Sequence, residues 1–339
     1  MSATLPTATI KASATVADYV SIARFDHATK HVFMVPGIVL AFLLRGPART
    51  EGTGDMAFNI VVGFVAAVAV ASANYVINEW LDRDFDRHHP EKSLRAAVQR
   101  EMSPRIVGAW YVALLVTGLC LAAAVNADFL FAATLLAISG VTYNVEPIRS
   151  KDRVYADVLS ESLNNPIRLM MGWAMVDAWS LPPASLLLAF WFGGAFLMNA
   201  KRLAEYRDIA AANGTEVLHL YRRSFRYYTE HKLAVANLVY ALCCAFFVAI
   251  FLIKYRIEYV LLFPCVVAMF ASYYSLSLTP DSVARKPEKL FLAKPVMATA
   301  LATAVVFALT TMIDVPMLEG LTSQRFIPLP GTPLPGTGA

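Results

Sequence analysis

Asn78, Asp82 and Asp86 recur every four residues in the stretch 74–95, NYVINEWLDRDFDRHHPEKSLR, and Asn74 extends the row backward. Residues four apart on a helix lie above one another on one face. Two carboxylates and an amide so arranged are hard-oxygen chemistry, suited to Mg²⁺ held together with substrate phosphates. Asp82 and Asp86 are therefore candidate catalytic acids, and Asn78, Asp82 and Asp86 candidate metal ligands. Lys92 and Arg95 follow within one segment and have the donors for phosphate oxygens. A solvated charged loop after a membrane helix would have a similar composition. The shared face, directly after the apolar run 56–72, favours a site.

Four further polar stretches carry candidate binding residues. In 24–33, RFDHATKHVF, Lys30 can present a cation to a phosphate or simply anchor the chain at a membrane surface. His27 and His31 stand at i, i+4, a zinc spacing with no third ligand nearby, and read as interface histidines. In 143–157, YNVEPIRSKDRVYAD, a Glu146-Pro147 turn leads through Lys151, Arg153 and Tyr155 to Asp157. Arg168 sits inside an apolar segment, where an ionisable side chain defaults to a functional role. The bland alternative pairs it with Glu161. In 199–208, NAKRLAEYRD, Lys201 and Glu205 are i, i+4, and Arg202 lies beside them. In 220–232, LYRRSFRYYTEHK, aromatics interleave with Arg222, Arg223 and Arg226. Between two membrane spans, such a stretch suits anionic headgroups or a lid over the site better than nucleic acid.

The elements that position these residues follow from composition. The 339-residue chain is 58% hydrophobic and 16% charged, with a mean hydropathy of +0.53. That describes an all-α, polytopic membrane protein. Nine apolar segments run near 32–44, 56–76, 106–125, 129–143, 157–176, 185–200, 233–253, 257–278 and 296–313. With the N-terminus in the cytoplasm, 23 of the 29 Lys and Arg residues fall on the cytoplasmic side, as the positive-inside rule requires. The long connections, which hold nearly all the polar chemistry, are then cytoplasmic as well. The expected domains are a disordered N-terminus 1–20, a transmembrane domain 21–315 and a Pro/Gly-rich flexible tail 316–339. Cys120, Cys243, Cys244 and Cys265 fall in apolar runs, with neither metal nor disulfide spacing. The first 17 residues lack the pattern of a signal peptide. There is no phosphate-binding glycine loop and no Ser/His/Asp arrangement. The sequence leaves open whether the chain forms a homo-oligomer.

A nine-span pattern with NEWLDRDFD followed by HPEKSLR after span two, and KRLAEY closing span six, resembles the UbiA superfamily of intramembrane prenyltransferases. Within it, the KRLAEY segment is most similar to the decaprenyl-phosphate phosphoribosyltransferase branch, to which a nodulation protein linked to arabinose transfer also belongs. The likeness runs over roughly 24–313. It implies a nine-helix bundle in the inner membrane, with cytoplasmic active-site loops. It also implies Mg²⁺-dependent transfer of 5-phosphoribosyl from phosphoribosyl pyrophosphate to a polyprenyl phosphate, an early step in supplying lipid-linked arabinose to a cell envelope. Lys30, Asn78, Lys92, Arg95, Tyr155, Arg168, Lys201, Arg202 and Glu205 are then the expected substrate-binding residues. Aromatic prenyltransferases of the superfamily carry a second Asp-rich motif after span six. This chain opens that place with two cations, Lys201 and Arg202. An aromatic prenyltransferase using a prenyl diphosphate is the alternative within the fold. A transporter of anionic lipids is the alternative of another class, although no internal repeat supports it.

Overall fold

A computed structural model of the chain describes residues 12–46, 52–87, 92–279 and 293–318, and every named element in them is helical. Thr15 opens helix α1 (Val16–Ser21) with a capping box, its side chain and that of Asp18 exchanging hydrogen bonds with each other's backbone N–H. Ser13 forms an isolated bridge with Glu101. Residues 1–11 and most of the expected tail, from 319 on, lie outside the described residues, as does the His89-Pro90 pair. A 3₁₀ stretch, Phe25–Met34, then runs into α2 (Val35–Arg45).

Helix α3 (Thr53–Asp86) is 34 residues long, about 51 Å at 1.5 Å per residue. A bilayer core is roughly 30 Å thick. The helix therefore outruns the apolar layer, and its last turns hold Asn78, Asp82 and Asp86 beyond the apolar run. A short α4 (Ala96–Gln99) precedes α5 (Pro104–Val125) and α6 (Ala127–Asn144). Asn126 turns the chain between those two: its Oδ1 accepts from Phe129 N at 2.8 Å, and its Nδ2 donates to Ala174 O at 2.8 Å.

The fifth apolar segment is not one helix. It folds as α7 (Ala156–Ser162) and α8 (Asn164–Ala174), broken at Leu163. Pro166 has no N–H to offer the carbonyl of Ser162, so the ladder cannot run through. Neither piece is span-length by itself. Among the described residues eight helices are long and apolar enough to cross a membrane, in place of the nine expected. The rest are α9 (Ala184–Asn213), a single turn α10 (Leu218–Tyr221), α11 (Glu230–Tyr255), α12 (Phe263–Ser277) and α13 (Lys294–Met312).

Packing is most extensive between α3 and α5 and between α9 and α11. The core at α3, α5 and α6 is built of small residues, among them Ala66, Ala67, Val70, Ala122, Ala132 and Ala133. Small side chains let membrane helices approach closely, which is where their packing energy comes from. Two glycines set α8 against the N-terminal elements. A Cβ on Gly172 would stand 2.0 Å from Met34 O, and one on Gly37 would stand 2.2 Å from Leu169 O. Any larger residue at either place forces the backbones apart.

Candidate active site

Three polar groups form, two toward the C-terminal ends of α3 and α9 and a third deeper along α3. The first is the end of α3. Asp82 Oδ1 lies 2.9 Å from Arg149 Nη2 and 2.6 Å from Lys151 Nζ. Asp86 Oδ2 lies 2.6 Å from Arg95 Nη1, and its Oδ1 is 3.9 Å from Lys92 Nζ. Asn78 Nδ2 donates to Asp82 Oδ2 at 3.3 Å and to Asn144 Oδ1 at 2.6 Å. The row is therefore real, but each acid is held by its own pair of cations from its own loop. Asn74 does not belong to it. Its Nδ2 donates to Leu136 O at 2.9 Å, joining α3 to α6 where Gly140 lies flat against it.

Burial penalises the charged form of Lys151 and brings its ammonium down to about 8, against the pull of Asp82. Lys92 also comes down to about 8, first through burial and then through repulsion from Arg222. Lys92 feels both Asp86 and Glu205, so it links the end of α3 to the second group.

That second group surrounds Arg202 on α9, which is 1% exposed. Its Nη2 lies 2.6 Å from Glu161 Oε2, its Nη1 3.7 Å from Glu205 Oε2 and its Nε 3.5 Å from Asp157 Oδ2. Tyr143 OH donates to the same Glu161 oxygen at 3.1 Å. Lys201 Nζ is 3.9 Å from Glu205. Glu161, which spacing offered as the partner of Arg168, instead pairs with Arg202. Asp157, with no exposed surface, also accepts from Tyr228 OH at 2.7 Å and from Ser224 Oγ at 3.0 Å. This fastens the 220–232 stretch down over the group. Burial, together with Asp157, pushes the Tyr228 phenol up, so it stays a donor. Arg223 stacks 4.6 Å over the Phe85 ring and pairs with Asp152 at 3.0 Å, closing the same stretch against α3.

The third group centres on Tyr75. Lys30 Nζ lies 5.4 Å over its ring, and His27 meets the ring edge-on at 5.2 Å. Arg168 is within electrostatic reach of Tyr75 and of His31. Lys30 in turn is within reach of Glu161 and Lys201. Tyr155 meets the second group only through Tyr228, their rings edge-on at 5.7 Å. Its backbone is left-handed, φ 63°, and its N–H donates to Tyr228 OH at 2.7 Å. Its side chain lines a cleft with His231, Lys232, Val235 and Val239. A separate apolar cleft of about 280 Å³, bounded by Leu135, Ile138, Leu163, Ile167, Leu187 and Trp191, holds no ionisable group.

Spacing alone pointed to Asn78, Asp82, Asp86, Lys92 and Arg95, and these do gather. It missed Arg149, Asn144 and Tyr143 as neighbours of the acids. Arg149 had a signal: the Glu146-Pro147 turn leads straight into it. The donor set at the end of α3 fits magnesium, being two carboxylates and an amide oxygen with no soft ligand. Among the described residues no three acids, histidines or cysteines come together as a closed cage. An ion held by Asn78, Asp82 and Asp86 would complete its shell with phosphate oxygens and water.

Known proteins carry the same architecture. A UbiA homologue from Archaeoglobus fulgidus, solved bound to DMAPP and Mg²⁺, superposes with a TM-score of 0.63 at 21% identity, covering 87% of this chain and all of that one. A UbiA homologue from Aeropyrum pernix K1 gives 0.56 at 17% identity, over 83% of this chain and 99% of that one. At those identities the likeness is one of fold. In sequence, decaprenyl-phosphate phosphoribosyltransferase of Mycolicibacterium smegmatis is 27% identical over 201 residues, 56% of this chain. The chain matches 59% of that protein's length. The profile of the UbiA prenyltransferase family matches residues 34–301, nearly the whole helical bundle with the acid row and the Arg202 cluster inside it, and the chain belongs to that family.

Proposed function

We propose that this chain transfers a 5-phosphoribosyl group from phosphoribosyl pyrophosphate to a polyprenyl phosphate, with Mg²⁺ held by Asn78, Asp82 and Asp86. The observation that carries this reading is the polar end of α9. Where a prenyl diphosphate enzyme would need a second set of free acids for a second ion, α9 presents Lys201 and Arg202. The acids there, Glu161, Asp157 and Glu205, are taken up by Arg202. With those acids engaged by Arg202, this end offers no free carboxylate set for a second ion, while Lys201, 24% exposed, has an ammonium to donate to a phosphate. The sequence match to the Mycolicibacterium smegmatis enzyme supports the same choice.

The chemistry balances without a base. An oxygen of the acceptor phosphate, already an anion at neutral pH, attacks the anomeric carbon of the ribose. The bond from that carbon to pyrophosphate breaks, and pyrophosphate leaves with the electron pair. Charge neutralisation on the leaving group is what Mg²⁺ supplies when bound. Lys92, Arg95, Arg149 and Lys151 release the carboxylates and turn to pyrophosphate or the ribose 5-phosphate. Arg202 positions Glu205 and Glu161, and Glu205 is placed to orient Lys201 or take a ribose hydroxyl. Tyr155 guards the edge of the 220–232 lid. The lipid tail lies against the apolar spans of the 21–315 domain. Lys and Arg placement supports loops on the cytoplasmic side, and the membrane proposed is the inner one.

The test is to give the purified protein Mg²⁺ with labelled phosphoribosyl pyrophosphate and polyprenyl phosphate, and separately prenyl diphosphate with an aromatic acid. Labelled lipid phosphoribose supports the proposal. Product from the second mixture alone replaces it with aromatic prenyl transfer, and no product from either leaves lipid transport to be tested.

A further inference from the structure

Among the described residues Arg168 is a buried charge without a counter-charge. It is 8% exposed, its Nε is buried with no hydrogen-bond partner, and among the described residues it makes no ion pair. Among the described residues its ionisable neighbours bring no acid: the buried His31 imidazole, 2% exposed with an unpartnered Nδ1, and next to it Lys30. Lys30 has no carboxylate in ion-pair range among the described residues and rests over the Tyr75 ring. Burying a cation unpaired is a heavy cost in a folded chain. A leucine would fill the position without it. Nor is the placement loose: the Gly172 and Gly37 contacts clamp α8, which carries Arg168, against the segment that carries Lys30. Two cations within reach of one buried imidazole, rigidly held and among the described residues in ion-pair contact with no acid, make a receptor for an anion.

Depth identifies the anion. Tyr75 precedes Asp82 by seven residues on α3, about 10 Å closer to the apolar run. Lys92, Arg95, Arg149 and Lys151 meet the acid row from its other, polar end. The two sets of cations therefore flank the acids along α3. A soluble, multiply charged sugar donor arrives from the polar side and meets the outer set. A phosphate tethered to a hydrocarbon tail arrives from the bilayer and meets the inner one. We propose that Arg168 and Lys30, with His31, form the subsite for the phosphomonoester headgroup of an isoprenoid lipid acceptor. This rests on the proposed function in calling that lipid an acceptor and in taking the donor to be a soluble phosphorylated sugar.

The experiment is equilibrium binding to the full chain in nanodiscs, with heptaprenyl phosphate, heptaprenol, and phosphoribosyl pyrophosphate plus Mg²⁺ as probes. Wild type should prefer the phosphate to the alcohol by about tenfold or more, the scale of one charge-assisted hydrogen bond. Arg168→Gln should reduce that preference to less than about threefold and leave phosphoribosyl pyrophosphate binding unchanged. Arg168→Lys should keep part of it. Because the substitution removes an unpaired buried charge, Arg168→Gln should also melt no lower than wild type. Undiminished preference for the phosphate in Arg168→Gln overturns the subsite. So does a fall in sugar-donor affinity, or a lower melting temperature that marks the arginine as structural. If the sugar donor neither binds nor reacts while the lipid preference still depends on Arg168, the proposed reaction falls and the subsite stands.

Discussion

Arg202 on α9 and Glu161 on α7 meet at 2.6 Å, and the arginine is 1% exposed while the acid is one-third exposed. That asymmetry gives the pair direction: the cation is fixed inside the protein and presents an acid to the site. Lys201, next in sequence, is 24% exposed and the freer of the two.

Two neighbouring substitutions should therefore part company. Arg202→Ala leaves Glu161, Asp157 and Glu205 facing one another and should cost about 3–5 kcal/mol of stability, the scale for breaking a buried pair. Lys201→Ala should fold normally and raise KM for a phosphorylated substrate by about tenfold or more, because the ammonium no longer donates to a phosphate oxygen. Thermal melting in detergent, alongside initial rates, separates the two. An Arg202→Ala protein as stable as wild type would contradict this role.

Asp82→Asn should reduce turnover by at least about a hundredfold, since it removes a proposed ligand to the ion that stabilises the leaving group. It should also lower stability, because Arg149 and Lys151, 9% and 6% exposed, lose their shared carboxylate. Rates measured over a magnesium titration test the first point. Near-normal turnover at saturating Mg²⁺ would remove Asp82 from the site.

Lys92 and Lys151 both lose their charge near pH 8, where an ordinary lysine keeps it beyond 10. Binding of a phosphorylated donor should weaken as pH rises through 8. Stability runs the other way. A lysine depressed by burial binds fewer protons folded than unfolded, so its contribution is present above about 10.5 and lost as pH falls through 8. A pH series of KM and melting temperature should show the two trends opposed. Lys151→Met should reduce both trends and leave the part that Lys92 contributes.

Tyr228→Phe removes one of the two hydroxyl donors that Asp157 accepts from the 220–232 stretch. The expected destabilisation is about 1–2 kcal/mol. It should show as faster amide exchange in 220–228, with α3 and α5 unchanged. Uniformly faster exchange would mean that this hydrogen bond holds the whole bundle and not a lid.

Composition and spacing determined the class of this protein and the outline of its candidate site. A hydrophobic fraction of 58% leaves no soluble fold to choose, and four-residue spacing must place Asn78, Asp82 and Asp86 along one helical face. Helical geometry is local, so those inferences need no knowledge of what packs where. The break at Leu163 was half legible, because Pro166 lies in the segment, but hydropathy averages over it. What the tertiary structure alone decided is which charge meets which. Asp82 pairs with Arg149 and Lys151, far along the chain from it. Glu161 turns to Arg202 and not to Arg168, and among the described residues Arg168 is left with no acid. Ion pairing depends on distance and burial between separate helices, and a single chain's order of residues carries neither until the helices are packed.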